Sequence, residues 1–114
     1  MDKLKKYKSV AATIVQDTAQ DLKKAFPEME IIPILDEAGG HFLLYEDGWQ
    51  GAKRLYNCVF HIDITVNAKV CLRIDNTDFL IGKQLIDGGV NDDDFELGWI
   101  PPNRKVAMAE SLQK

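Results

Sequence analysis

The sequence predicts a single α+β domain: an N-terminal helix, a four-strand antiparallel meander and a second short helix, with both helices packed on one face of the sheet. Three observations predict it. Apolar residues recur every three or four positions over the first 26 residues, they alternate with polar ones through the middle of the chain, and glycine or proline stands where the pattern changes. A chain of 114 residues has material for one secure core, so residues 1–114 are read as one domain with a tail from about 103 loosely attached.

Leu4, Tyr7, Val10, Ala11, Ile14, Val15, Ala19, Leu22 and Ala25 mark the apolar face of the first helix. Pro27 ends it, because proline disfavours helical geometry in the residue before it. Two apolar runs, 30–36 and 41–47, flank Glu37-Ala38-Gly39-Gly40 and read as strand, turn and strand. Pro33 has no N–H to donate, which places the first of them at a sheet edge.

Gly48-Trp49-Gln50-Gly51 breaks the pattern before the clearest strand, 55–66. There Tyr56, Cys58, Phe60, Ile62, Ile64 and Val66 share a core face, while Asn57, His61, Asp63 and Thr65 share the other. Val70, Leu72 and Ile74 then alternate with Cys71, Arg73 and Asp75. Matching the faces pairs Val66 with Val70 across a loop at 67–69, and sets Asp63 opposite Arg73 and His61 opposite Asp75. Thr77 is expected to cap a helix running to about Asp87, with Phe79, Leu80 and Leu85 or Ile86 inward, and Gly88-Gly89 supplies its left-handed exit. Asp92-Asp93-Asp94 reads as a solvated turn, and Pro101-Pro102 stops the last apolar stretch, 95–100.

Fourteen basic against eighteen acidic residues give a net charge of -4, a field that opposes a phosphate backbone, so direct DNA binding is not expected. Lys3, Lys5, Lys6 and Lys8 are read as a solvated helix face. The N-terminus is too polar for a signal peptide and no apolar run approaches the roughly 20 residues of a membrane span, so the expectation is a cytoplasmic protein with no membrane contact.

His61-x-Asp63 places an imidazole and a carboxylate on one strand face, as a metal site or an acid–base pair would. Two ligand types are not a site, and Arg73 and Asp75 offer both residues cross-strand partners. His61, Asp63, Arg73 and Asp75 are therefore read as structural polar pairs. Cys58 and Cys71 are expected on opposite faces, as reduced thiols with packing roles. The aspartate run lacks the spacing of a calcium loop, and Gly48-x-x-Gly51 is too short for a phosphate loop. No residue is assigned as catalytic, cofactor-binding or metal-binding. Trp49 and Trp99 stand beside glycines at loop or edge positions, where a tryptophan is either folded onto the core or offered to a partner. With Gln50, Lys53 and Arg54 they form the candidate partner contact.

Two strings carry a family resemblance. The run from Gly48-Trp49-Gln50-Gly51 through Lys53-Arg54, Tyr56 and Cys58 to His61-Ile62-Asp63-Ile64 resembles the signature of the XisI proteins, and Leu97-Gly98-Trp99-Ile100-Pro101-Pro102 resembles their ending. The opening Met1-Asp2-Lys3-Leu4 with Tyr7, and Asp75-x-Thr77, are similar as well. The chain departs from the pattern in a longer turn at 67–69, in Trp99-Ile100 where phenylalanine and often histidine stand, and in Asn91 in place of a common proline.

XisI proteins are described as controlling factors for excision of the fdxN element in heterocyst-forming cyanobacteria, alongside a companion protein, XisH, and a separate recombinase. The resemblance thus implies a non-enzymatic accessory or regulatory factor working through an XisH-like protein, and no cofactor is expected. Pro33 makes open-ended pairing along the sheet edge unfavourable, so a homodimer through helix faces is the second expected contact. Two other classes stay open: a metal-dependent hydrolase or nuclease subunit using His61 and Asp63, and a direct nucleic-acid binder using the N-terminal lysines.

Overall fold

The computed structural model describes residues 2–101; the tail expected from 103 lies outside them. Helix α1 spans Lys3–Ala25. The Asp2 carboxylate caps it by accepting from the Leu4 N–H at 3.0 Å, Lys23 and Lys24 favour the negative end of its dipole, and the chain leaves helical geometry just before Pro27. Tyr7, Ala11, Ile14, Val15, Thr18 and Ala19 form its buried stripe.

Strands β1 (Glu30–Asp36), β2 (His41–Gln50), β3 (Lys53–Ile64) and β4 (Val70–Asp75) follow as an antiparallel meander. A short helix, α2 (Ile81–Asp87), and a 3-10 turn at Asp92–Asp94 then lead to β5 (Phe95–Leu97), which lies parallel to β4. The sheet thus has five strands, ordered β1-β2-β3-β4-β5, where the sequence predicted four. Three residues carry too little alternation to announce a strand; the α2 crossover makes the parallel pairing reachable. Pro33 sits in β1 at the open edge of the sheet.

Both helices cover one face. Phe42, Leu44, Phe60, Ile62, Ile64, Val70 and Leu72 meet Tyr7, Ala11, Ile14 and Val15 of α1 and Ile81 and Leu85 of α2 in a single core.

Two register shifts correct the expected faces. Leu44 pairs with Phe60 but Tyr45 with Cys58, so Val59 is an extra residue in β3. Val59 and Phe60 are both buried, and Tyr56 and Cys58 move to the face opposite Phe60. Cys58 and Cys71, expected on opposite faces, consequently share one. In the second shift, Ile62 pairs with Leu72 but His61 with Ile74, which leaves Arg73 as the extra residue and turns Ile74 off the core face. The hairpin loop is also longer than expected: Ile64, not Val66, pairs with Val70. Val66 is exposed, while Ala68 enters the core with a left-handed backbone, φ 61°. Burying Ala68 is what the five-residue loop achieves. The new register sets Asp63 opposite Cys71 and His61 opposite Ile74, not opposite Arg73 and Asp75.

Three smaller expectations also change. Gly48 lies inside β2, and the actual break is the two-residue turn Gly51-Ala52, with Gly51 at φ 63°. Thr77 does not cap α2; its N–H and hydroxyl donate to the Asp75 carboxylate at 2.9 and 2.6 Å, closing a turn, and the helix starts only at Ile81. Phe79 and Leu80 are therefore exposed, and Ile81 joins Leu85 in the core. Asp94 is buried rather than solvated: it accepts from the Tyr7 hydroxyl at 2.6 Å and from the ammonium groups of Lys3 and Lys69 at 3.0 and 3.1 Å.

Candidate functional site

The face of the sheet turned away from the helices holds most of the chain's reactive side chains. From β2 it receives His41, Leu43, Tyr45, Asp47 and Trp49, and from β3 their register partners Asp63, His61, Cys58, Tyr56 and Arg54. Two groups stand out on it.

At the end nearer β4, His41 Nδ1 and His61 Nε2 lie 3.1 Å apart. One ring nitrogen must donate and the other accept, so the contact requires that at least one imidazole be neutral. Asp63 Oδ1 is 3.6 Å from His41 Nδ1, while its Oδ2 accepts from Arg73 Nε at 3.0 Å and Nη2 at 2.5 Å. Asp63 and Arg73 thus meet diagonally, through the extra residue in β4. Burial first, then the neighbouring His41 and Arg73, lowers the His61 pKa below its ordinary value, against a smaller opposing pull from Asp63. The Asp63 carboxylate holds Arg73 more firmly charged. Asp75 turns to Thr77 and takes no part in the cluster. Among the described residues no three histidine, cysteine, aspartate or glutamate side chains are grouped to hold a metal ion. Cys58 donates to the Phe60 carbonyl at 3.4 Å, and burial pushes its thiol up, away from the thiolate a nucleophile needs.

At the other end, β2 and β3 run on past their neighbours. The last partner of β2 in β1 is Glu30, opposite Asp47, and the last partner of β3 in β4 is Asp75, opposite Phe60. Residues 48–50 and 53–55 consequently pair only with each other, as a projecting ribbon closed by Gly51-Ala52. On it the Arg54 guanidinium lies 5.6 Å from the Trp49 ring and 5.4 Å from the Tyr56 ring, and forms an ion pair with Asp47. The hydrogen bond to Asp47 raises the Arg54 pKa further. Trp49 is 62% exposed and Tyr56 57%, and the Tyr45 ring stands 5.5 Å from that of Tyr56.

Of the five residues in the candidate partner contact, the ribbon brings together Trp49, Gln50, Lys53 and Arg54, with Gln50 and Lys53 pointing to the helix-side face. Trp99 is also exposed but follows β5, next to Gly98, whose N–H donates to the Leu72 carbonyl. Leu72 aligns with Ile62, about nine residues or roughly 30 Å along β3 from the ribbon's tip. His41, near the end of another strand, could approach His61 only through tertiary folding, and the sequence pattern does not single out Asp47 or Tyr56 for the site. The signal for His41 and Asp47 was the alternation of β2 itself, which puts His41, Asp47 and Trp49 on one face; the extra residue in β3 hid Tyr56.

The family model for the XisI protein matches residues 1–109. The chain belongs to the XisI family. Two crystal structures are similar to it over nearly their whole length. A XisI-like protein from Anabaena variabilis is 31% identical with a TM-score of 0.82, covering 91% of this chain and 94% of that one. The fdxN element excision controlling factor XisI from Anabaena variabilis is 26% identical with a TM-score of 0.75, covering 90% and 98%. No curated protein was found to match the chain. The helix, sheet and short second helix are therefore the XisI fold. Among the described residues no helix is long and apolar enough to cross a membrane.

Proposed function

We propose that this XisI-family chain is a non-enzymatic accessory factor in the excision of a DNA element, working in the cytoplasm through contact with an XisH-like protein. The observation that carries the reading is the projecting ribbon: an exposed tryptophan and tyrosine holding an arginine between them, fixed by Asp47, on a two-stranded extension that among the described residues has no third strand beside it. Tryptophan, tyrosine and arginine are the residue types that dominate binding energy at protein interfaces, and rings already held in place lose little freedom on docking. Similarity to an fdxN element excision controlling factor supports the process, and the acidic net charge favours a protein over bare DNA as the contact.

The test is excision of the element in cells lacking this chain and resupplied with variants, scored across the excision junction, beside co-purification of the companion in the presence of nuclease. The double variant Trp49→Ala, Arg54→Ala is expected to lose both excision and co-purification. The hydrolase alternative predicts instead that His61→Ala abolishes excision while the companion is still captured. Direct nucleic-acid binding predicts nuclease-sensitive capture that falls steeply with salt.

A further inference from the structure

The open face of the sheet carries Ile34 of β1, Leu43 and Tyr45 of β2, Cys58 and His61 of β3 and Ile74 of β4. All stay partly accessible, Ile34 and Ile74 at 39% and 38%, and among the described residues no helix packs over them. An antiparallel sheet with one solvated face ordinarily turns polar side chains outward. Here the central strands turn out leucine and tyrosine instead, flanked by isoleucines.

The charges at the centre of this face answer one another within the chain, Asp63 with Arg73 and His41, and Asp47 with Arg54. Among the described residues the centre is thus balanced in charge and suits an apolar partner such as a second copy, while the remaining acids of this face, Glu30, Asp36 and Glu96, lie on the outer strands at its rim. The area is of the right order. At about 3.4 Å per residue and 4.8 Å between strands, the sheet without ribbon residues 48–50 and 53–55 spans roughly 500 Å² of sheet plane, and side-chain relief raises this towards the ~800 Å² each partner gives to a stable interface. Edge-to-edge pairing is the poorer route, because Pro33 interrupts the free edge of β1 and β5 is three residues long.

We infer that this face is the interface of a homodimer, in which two sheets stack face to face and the patch centred on Leu43 and His61 meets the same patch of a second copy. The ribbon tip projects beyond the patch, so Trp49 and Arg54 stay available to a different protein.

Sedimentation of the full chain at micromolar concentrations tests this directly. The wild type is expected at twice the chain mass of 12.9 kDa. Leu43→Glu, and separately Ile34→Lys at the more exposed rim, are expected to weaken association at least about tenfold while far-UV circular dichroism stays unchanged. Val66→Lys, on an exposed loop outside the patch, should leave the dimer intact. Ile34→Lys keeps the test usable if Leu43→Glu fails to fold. A wild-type monomer overturns the inference and assigns the face to a different protein; a folded Ile34→Lys chain that remains fully dimeric overturns it by placing the interface elsewhere.

Discussion

The two faces of the sheet are made by the same strands and are held in order by different physics. The helix-side face is dry: Phe42, Leu44, Phe60, Ile62 and Leu72 have essentially no exposed surface, and their ordering comes from apolar burial and close packing. The open face is organised by paired polar groups and stacked rings, the His41–His61–Asp63–Arg73 cluster at one end and Trp49–Arg54–Tyr56 at the other. The difference teaches that the helix-side face sets whether the chain folds, while the open face sets what it presents.

The largest effect should therefore come from the core. Phe60→Ala is expected to cost about 3–5 kcal/mol in urea denaturation, whereas Tyr56→Ala, four residues along the same strand, should cost under about 1 kcal/mol. Equal costs for the two would erase the distinction between the faces.

A second comparison concerns acid. Hydrogen bonds from Tyr7, Lys3 and Lys69 hold the Asp94 carboxyl well below the usual carboxylate range. A depressed folded pKa means that its stabilisation is fully present above the ordinary aspartate value and is lost as pH falls below it, because the unfolded chain binds the proton first. Asp94→Asn should lower the urea midpoint at neutral pH and flatten its fall in acid. An Asp94→Asn chain whose acid profile matches the wild type would remove Asp94 as the clamp between α1, the 65–69 loop and the 3-10 turn.

On the open face, Arg73→Leu leaves the buried Asp63 without its two-pronged partner. With Arg73 itself half in water, a cost of about 1–2 kcal/mol is expected.

The smallest effect is the His61 titration. Its folded pKa is lowered from the ordinary 6.5, so the unfolded chain takes up this proton first; stability from the group is complete above that value and declines as pH drops through it. Urea midpoints at about pH 7.5 and 5.5 should fall for the wild type and fall less for His61→Gln. Parallel behaviour of the two chains would locate the titration elsewhere.

The fold was legible in the sequence where the pattern was long. The 3.6-residue period of α1, the alternation of β1 to β4 and Pro33 at the edge could all be read directly, as could the end of α2 near Asp87. What escaped was decided by single extra residues. Val59 in β3 and Arg73 in β4 each invert the strand beyond them, and no local signal in either segment distinguishes a shifted register from a regular one. Asp94 escaped because its partners are distant in sequence, 87 residues away at Tyr7 and 91 at Lys3. The site was legible in part: Trp49 and Arg54 could be placed together from spacing, but Tyr56 joins them only because of the shift at Val59, and His41 reaches His61 only through the pairing of β2 with β3.

The most direct test of the central claim is excision in cells carrying Trp49→Ala, Arg54→Ala beside cells carrying His61→Ala, each checked for folded protein and companion capture. An accessory factor working through the ribbon predicts that the double variant loses excision and capture together, while His61→Ala retains both. Excision lost with His61→Ala, with the companion still bound, would contradict it and move the function from contact to chemistry.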